Sequence, residues 1–112
     1  MKFPSRAPET GFYYHYKHDL LGKVNNYAYE VLGVGIHTEE ECRPEDANMI
    51  VYRPLYPILE NPYAKKSFFL RPSEMFFDIV IKEDASFLRF TKITDAKVIA
   101  ELEAIRNELY SE

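Results

Sequence analysis

Tryptophan is absent from this chain of 112 residues, cysteine occurs once and glycine only four times. A single cysteine, Cys42, has no internal partner, which excludes the disulfide framework of a small secreted domain. Four glycines and seven prolines are too few for a linker-like or collagenous chain. No apolar run approaches the roughly 20 residues that a membrane-spanning helix requires, so no membrane association is expected. Residues 1–8 contain no apolar stretch of the kind a secretory signal carries, and a reduced, cytoplasmic setting is the expected location. An excess of positive charge is also missing. The net charge of −4 and a pI near 5.4 speak against a generally basic nucleic-acid binder.

Aromatic residues are what the chain has in abundance. Nine tyrosines and eight phenylalanines make up 15% of it, within an overall 46% hydrophobic and 29% charged composition typical of a folded domain. The length predicts a single domain over 1–112, divided into a β domain over 11–93 and a C-terminal helix over 94–112. Fifteen of the 17 aromatics fall between Phe12 and Phe90. Tyrosines concentrate in the first half and phenylalanines from Phe68 onward. The phenylalanines are therefore expected mainly in the core, and the tyrosines at a wet, polar-tipped surface.

The modest net charge hides an asymmetry. Residues 39–46 carry −4 and residues 95–112 carry −3, leaving +3 on the remaining body. Acidic runs of this kind usually form solvated loop and helix faces.

Alternation of apolar and polar positions organises the body. Residues 12–18, Phe-Tyr-Tyr-His-Tyr-Lys-His, have the composition of a strand. Asp19 to Asn26, with Gly22 and Asn25-Asn26, reads as a loop. Tyr27 to Thr38 is a second strand, in which Gly33 and Gly35 predict a bend, a bulge or close approach by another backbone or a ligand. Met49 to Tyr56 is a third, and Pro54 within it predicts an edge position or an early end. Ser67 to Leu70 forms a short strand, Ser73-Glu74 a helical turn or corner, and Met75 to Lys82 alternates with a period of two. Phe87 to Ile93 is the returning strand of a hairpin. Thr94 or Asp95 caps a final helix whose stripe is Val98, Leu102, Ile105 and Leu109. The expected fold is mainly β: a small bent sheet or SH3-like barrel of five to six short strands with one C-terminal amphipathic α-helix.

Six segments recur in a familiar order: Tyr14-His15-Tyr16-Lys17, Tyr29 to Val34, His37-Thr38-Glu39, Val51 to Tyr56, Arg71 to Phe76, and Arg89-Phe90. Together they resemble the DUF1653 family, a bacterial domain of unknown function, over roughly Gly11 to Ile93. The chain departs from that pattern by extra residues around 20–26 and 41–48, by Tyr14 in place of Arg, Thr38 in place of Ser and Phe69 in place of Trp. The resemblance implies a small, mostly β domain and carries no activity with it.

Chemistry-bearing motifs are sparse. His15, His18, His37 and Cys42 are the only soft metal ligands in number, and a strand would send His15 and His18 to opposite faces. No metal and no cofactor is expected. Cys42 lies among glutamates, which raise rather than lower a thiol pKa. No G-x-S-x-G, P-loop or G-x-G-x-x-G occurs, so no catalytic residue is assigned and catalysis is the lesser expectation. The strongest constellation is Tyr16, Lys17, His37, Tyr52, Tyr56, Arg71 and Glu74, at strand ends and adjoining turns. Aromatics with one lysine and one arginine suit a polar-rimmed pocket for an anionic or planar ligand. The competing structural reading packs the tyrosines in the core and ties Arg71 to Glu74 or Asp78. The expected function is a non-catalytic module binding a small molecule or anionic ligand. The alternatives are a small enzyme or accessory domain acting on a nucleotide-like substrate, and a single-stranded nucleic-acid reader. Nucleic acid is the less expected partner, and the helix stripe also offers a route to a homodimer.

Overall fold

The computed structural model describes residues 9–38, 48–57 and 68–110. Seven strands and two helices follow one another: β1 (Gly11–His15), β2 (Ala28–Ile36), β3 (Asn48–Pro54), β4 (Phe69–Pro72), α1 (Ser73–Phe76), β5 (Ile79–Lys82), β6 (Ala85–Leu88), β7 (Phe90–Lys92) and α2 (Ala96–Leu109). Five strands form one antiparallel sheet in the order β4-β3-β2-β1-β7, and β5 and β6 form a separate hairpin. The fold is mainly β with a bent sheet, and no closed barrel forms among the described residues. Among the described residues the strand count exceeds the expected five to six because the Phe87 to Ile93 run is divided in two, while the Met75 to Lys82 run is shortened and not split.

The first break follows β4. Residues 73–76 form one helical turn that drives Phe76 into full burial, so β5 starts at Ile79 rather than Met75. The second break is at Arg89, which divides the Phe87 to Ile93 run into β6 and β7. Its amide donates to the Asp78 carbonyl (3.0 Å), and its own carbonyl accepts from the Tyr16 amide (2.9 Å). Both backbone groups are thus satisfied where the chain passes from hairpin to main sheet.

Period-two patterning decides the two faces of the main sheet. Tyr13, Tyr29, Val31, Ile50, Tyr52 and Phe90 point to one side and meet Phe76 there. Phe12 and Ala28 point to the other, where they pack with Leu55, Ile93 and Leu102 of α2. Gly33 takes part in the expected bulge: Val31 pairs Tyr52 and Gly33 pairs Val51, leaving Leu32 as the extra residue. Pro54 ends β3, which is an interior strand between β2 and β4. Proline costs no ladder bond at that terminal position.

Asp95 is the N-cap of α2, its carboxylate accepting from the amides of Lys97 (2.9 Å) and Val98 (3.3 Å). Leu102 is the fully buried member of the apolar stripe, with Val98 and Ile105 half-buried beside it. A buried ion network fastens the helix's far end. Glu30 receives Arg53 from β3 (3.0 Å) and Arg106 from α2 (2.9 Å) on its two oxygens. Arg53 also lies 4.0 Å from the Tyr110 ring centre, and the Tyr110 hydroxyl donates to the Pro54 carbonyl (2.5 Å). No described helix is long and apolar enough to cross a membrane.

Candidate functional site

The face of the sheet opposite α2 is paved with rings. Phe76 and Phe90 stack at 4.1 Å, and Tyr29 and Tyr52 meet edge-on at 5.6 Å. Burial does not follow the expected division between tyrosine and phenylalanine: Phe12, Phe76 and Phe90 are buried as expected, but three tyrosines are buried with them. Tyr13, Tyr29 and Tyr52 are only 5–7% exposed, whereas Phe68 and Phe87 are 51% and 43% exposed. A tyrosine can bury its ring when its hydroxyl finds a partner at the edge. Tyr13 donates to the Glu9 carbonyl (2.9 Å), and the hydroxyls of Tyr29 and Tyr56 bond each other at 2.7 Å. Burial, followed by the Tyr56 hydrogen bond, raises the Tyr29 pKa far above the usual phenol value.

The polar groups of this face gather around His15, the last residue of β1. Its Nδ1 accepts the Lys17 amide at 3.2 Å, which places the proton of the neutral ring on Nε2. The ring stands edge-on to Phe90 (5.1 Å) and close to Tyr16 (4.5 Å) and Tyr27 (5.8 Å). Burial pushes the His15 pKa down to about 4, and the positive charges of Arg71, Arg89 and Lys17 push it the same way. The imidazole is therefore neutral at pH 7 and presents an N–H donor amid three cations.

Arg71 comes to this corner from β4. Its guanidinium lies 5.6 Å from the Phe90 ring centre, and its Nε reaches the Tyr52 hydroxyl at 3.4 Å. Among the described residues no ion pair engages it. Asp78, expected beside it, instead holds Arg89 through two contacts of 2.6 and 3.2 Å, and Glu74 is exposed on α1. One arginine is thus neutralised and the other is not.

The remaining candidates divide by position. The Tyr16 ring faces Phe87 at 6.2 Å, and the Lys17 ammonium lies 6.0 Å from the Tyr16 ring. Both border a shallow depression of about 410 Å³ with Lys82 and Glu83. Tyr56 borders a cleft of about 380 Å³ together with Lys23, Asn25, Asn26, Tyr27 and Pro57. His37 is exposed just beyond Ile36, at the opposite end of the nine-residue β2 from Tyr27. The fold therefore brings Tyr52 to Arg71, Tyr16 to Lys17 and Tyr56 to Tyr29, and sets His37 and Glu74 apart from them.

His15, Tyr27 and Arg89 escaped the sequence-based constellation. His15 and Arg89 were visible in the Tyr14-His15-Tyr16-Lys17 and Arg89-Phe90 segments, but nothing local reports that these meet across β1 and β7. His18 turns away, stacking on Tyr14 at 3.5 Å with its Nδ1 against the Asn26 carbonyl (2.7 Å). No group of three or more His, Cys, Asp or Glu among the described residues is arranged to hold a metal ion. Cys42 lies outside the described residues.

No curated protein and no solved structure matches this chain. A family model described as a protein of unknown function, DUF1653, matches residues 11–92. That segment contains every strand of the sheet and the whole corner around His15 while stopping short of α2, and the chain belongs to the DUF1653 family.

Proposed function

We propose that this domain is a non-catalytic binding module for an anionic small molecule, received beside His15, whose ring feels the positive charges of Arg71 and Lys17. The observation that carries the reading is that a neutral, donor-bearing histidine and an arginine that no described carboxylate engages both lie against the Phe90 ring. A planar fork of donors over an aromatic ring is suited to bidentate recognition of a carboxylate or phosphate. Tyr52 and Tyr16 orient and flank these cations, and Tyr56 belongs to the adjoining cleft. His15 is a poor general base in this setting, because its acceptor nitrogen is already occupied by a backbone amide.

Titration calorimetry with sulfate, phosphate and pyrophosphate at fixed ionic strength tests the reading. Binding to the wild type that falls at least tenfold in Arg71→Gln, with an unchanged melting temperature, supports it. Equal binding by the two proteins, or none by either, overturns it.

A second reading has one observation in its favour. Exposed Phe87, stacked against Tyr16 between Lys17 and Lys82, has the ring-plus-cation character of a single-stranded nucleic-acid platform. Binding of random oligonucleotides that weakens steeply with added salt would favour it over the small-molecule reading.

A further inference from the structure

The cleft beside the cationic corner is built differently from the corner itself. Tyr27, Tyr56 and Pro57 line the cleft together with Lys23, Asn25 and Asn26. The loop that carries it is held in shape from within. The Asn26 side-chain carbonyl accepts from the Asp19 amide (2.8 Å), its NH2 donates to the carbonyls of Asp19 and Lys23, and Asn25 donates to the Leu55 carbonyl at 2.8 Å. Tyr27 itself has a backbone φ of +49°, a conformation that L residues with bulky side chains rarely adopt. Its ring stays 42% exposed and runs at 29° to the plane of His15, with the ring centres 5.8 Å apart. Backbone strain of this sort persists only where surrounding structure imposes it. Here it leaves a large flat ring in solvent between the cleft and His15.

We infer that the Tyr27–Tyr56 cleft is a stacking subsite, so that the ligand is an aromatic anion of mononucleotide type: a planar heterocycle against Tyr27 and Tyr56, with its negatively charged group reaching the His15–Arg71 corner. This rests on the anion-binding reading for the charged end. The cleft volume of about 380 Å³ accommodates a ring system, and Tyr27 belongs to both parts, since it lines the cleft and its ring lies 5.8 Å from that of His15. Lys23 adds a cation to the lining. Flat apolar walls with few, fixed polar groups are the usual character of a small-molecule site.

The test compares nucleoside 5′-monophosphates, the corresponding nucleosides and inorganic phosphate by titration calorimetry. It uses the wild type, Tyr27→Gly and Arg71→Gln, each checked for an intact melting transition. Glycine is chosen because it removes the ring and accepts the positive φ without strain. The expected result is a monophosphate at least tenfold tighter than phosphate in the wild type, an advantage absent from Tyr27→Gly while phosphate binding persists. Phosphate binding with no monophosphate advantage, or an advantage that survives Tyr27→Gly, overturns the stacking subsite and leaves the anion corner standing. Nucleosides that bind as tightly as monophosphates, with loss in Tyr27→Gly alone, retain the cleft and overturn the anion corner. No binding by any probe overturns both.

Discussion

Asp78 and Arg89 face each other through two hydrogen-bonded contacts, Nε to Oδ1 at 2.6 Å and Nη2 to Oδ2 at 3.2 Å. The Asp78 carboxylate is thus engaged by the arginine that joins the hairpin to the sheet. Its neighbour Arg71 is left with a hydroxyl and a ring as its described partners. The positive character of the corner follows from this choice of partner.

Asp78→Asn should therefore release a second guanidinium into the corner. Sulfate affinity is expected to rise about three- to fivefold, while stability falls by about 0.5–1 kcal/mol for a half-exposed pair. Calorimetry and chemical denaturation of the same variant measure the two effects, and a fall in affinity would contradict the assignment.

The depressed His15 pKa makes stability depend on pH in a defined direction. The unfolded chain titrates near 6.5 and the folded one near 4, so the unfolded state binds more protons between these values. Stability is fully present above about pH 6.5 and is lost as the pH falls toward 4. Urea unfolding across this window should show a positive slope with pH, and His15→Phe should flatten it. Histidine NMR titration reads the same midpoint directly.

Glu30 is the shared acceptor of Arg53 and Arg106 and is itself buried. Glu30→Gln leaves two guanidinium groups without their counter-charge and is expected to cost about 3–5 kcal/mol. The double variant Glu30→Gln/Arg106→Leu should recover part of that loss, because one stranded charge is removed. Equal stability of Glu30→Gln and wild type would show that the network contributes nothing.

The family segment ends at residue 92, yet α2 supplies Leu102 to the second core. Leu102→Ala should cost about 2–5 kcal/mol, the range for a fully buried leucine. A chain ending at Thr94 exposes Phe12, Ala28, Leu55 and Ile93 together and should lose its cooperative thermal transition.

The strands of the main sheet were legible wherever alternation was strict. β1, β2 and β3 lie within two or three residues of the runs read from sequence, and the glycines at 33 and 35 marked the bulge. Phe76 and Arg89 were not legible as breaks, because each sits inside an alternating pattern and is taken out of it by tertiary contacts. Phe76 is captured by the core, and Arg89 is pinned through its backbone to Asp78 and Tyr16. The site was legible as a set of residue types and not as a geometry. Tyr52 and Arg71, both in the sequence constellation, do meet, whereas the sequence around His15 suggests no more than a candidate metal ligand. Its environment comes from Arg71, Arg89 and Lys17, and the two arginines lie more than 50 positions away. Local sequence carries no record of such a convergence.

The bulge in β2 also bears on how this chain can change its length. Leu32 is the residue left over between the pairs Val31–Tyr52 and Gly33–Val51. Deleting Leu32 restores regular pairing without moving any partner, so Tyr29 and Val31 keep facing the rings and Val34 stays opposite Ile50. Deleting a residue of β2 away from the Leu32-Gly33 bulge forces the pairing to slip and turns part of the strand inside out. Position 32 is thus a place where evolution can add or remove one residue while preserving both cores, with the curvature of the sheet as the quantity that changes.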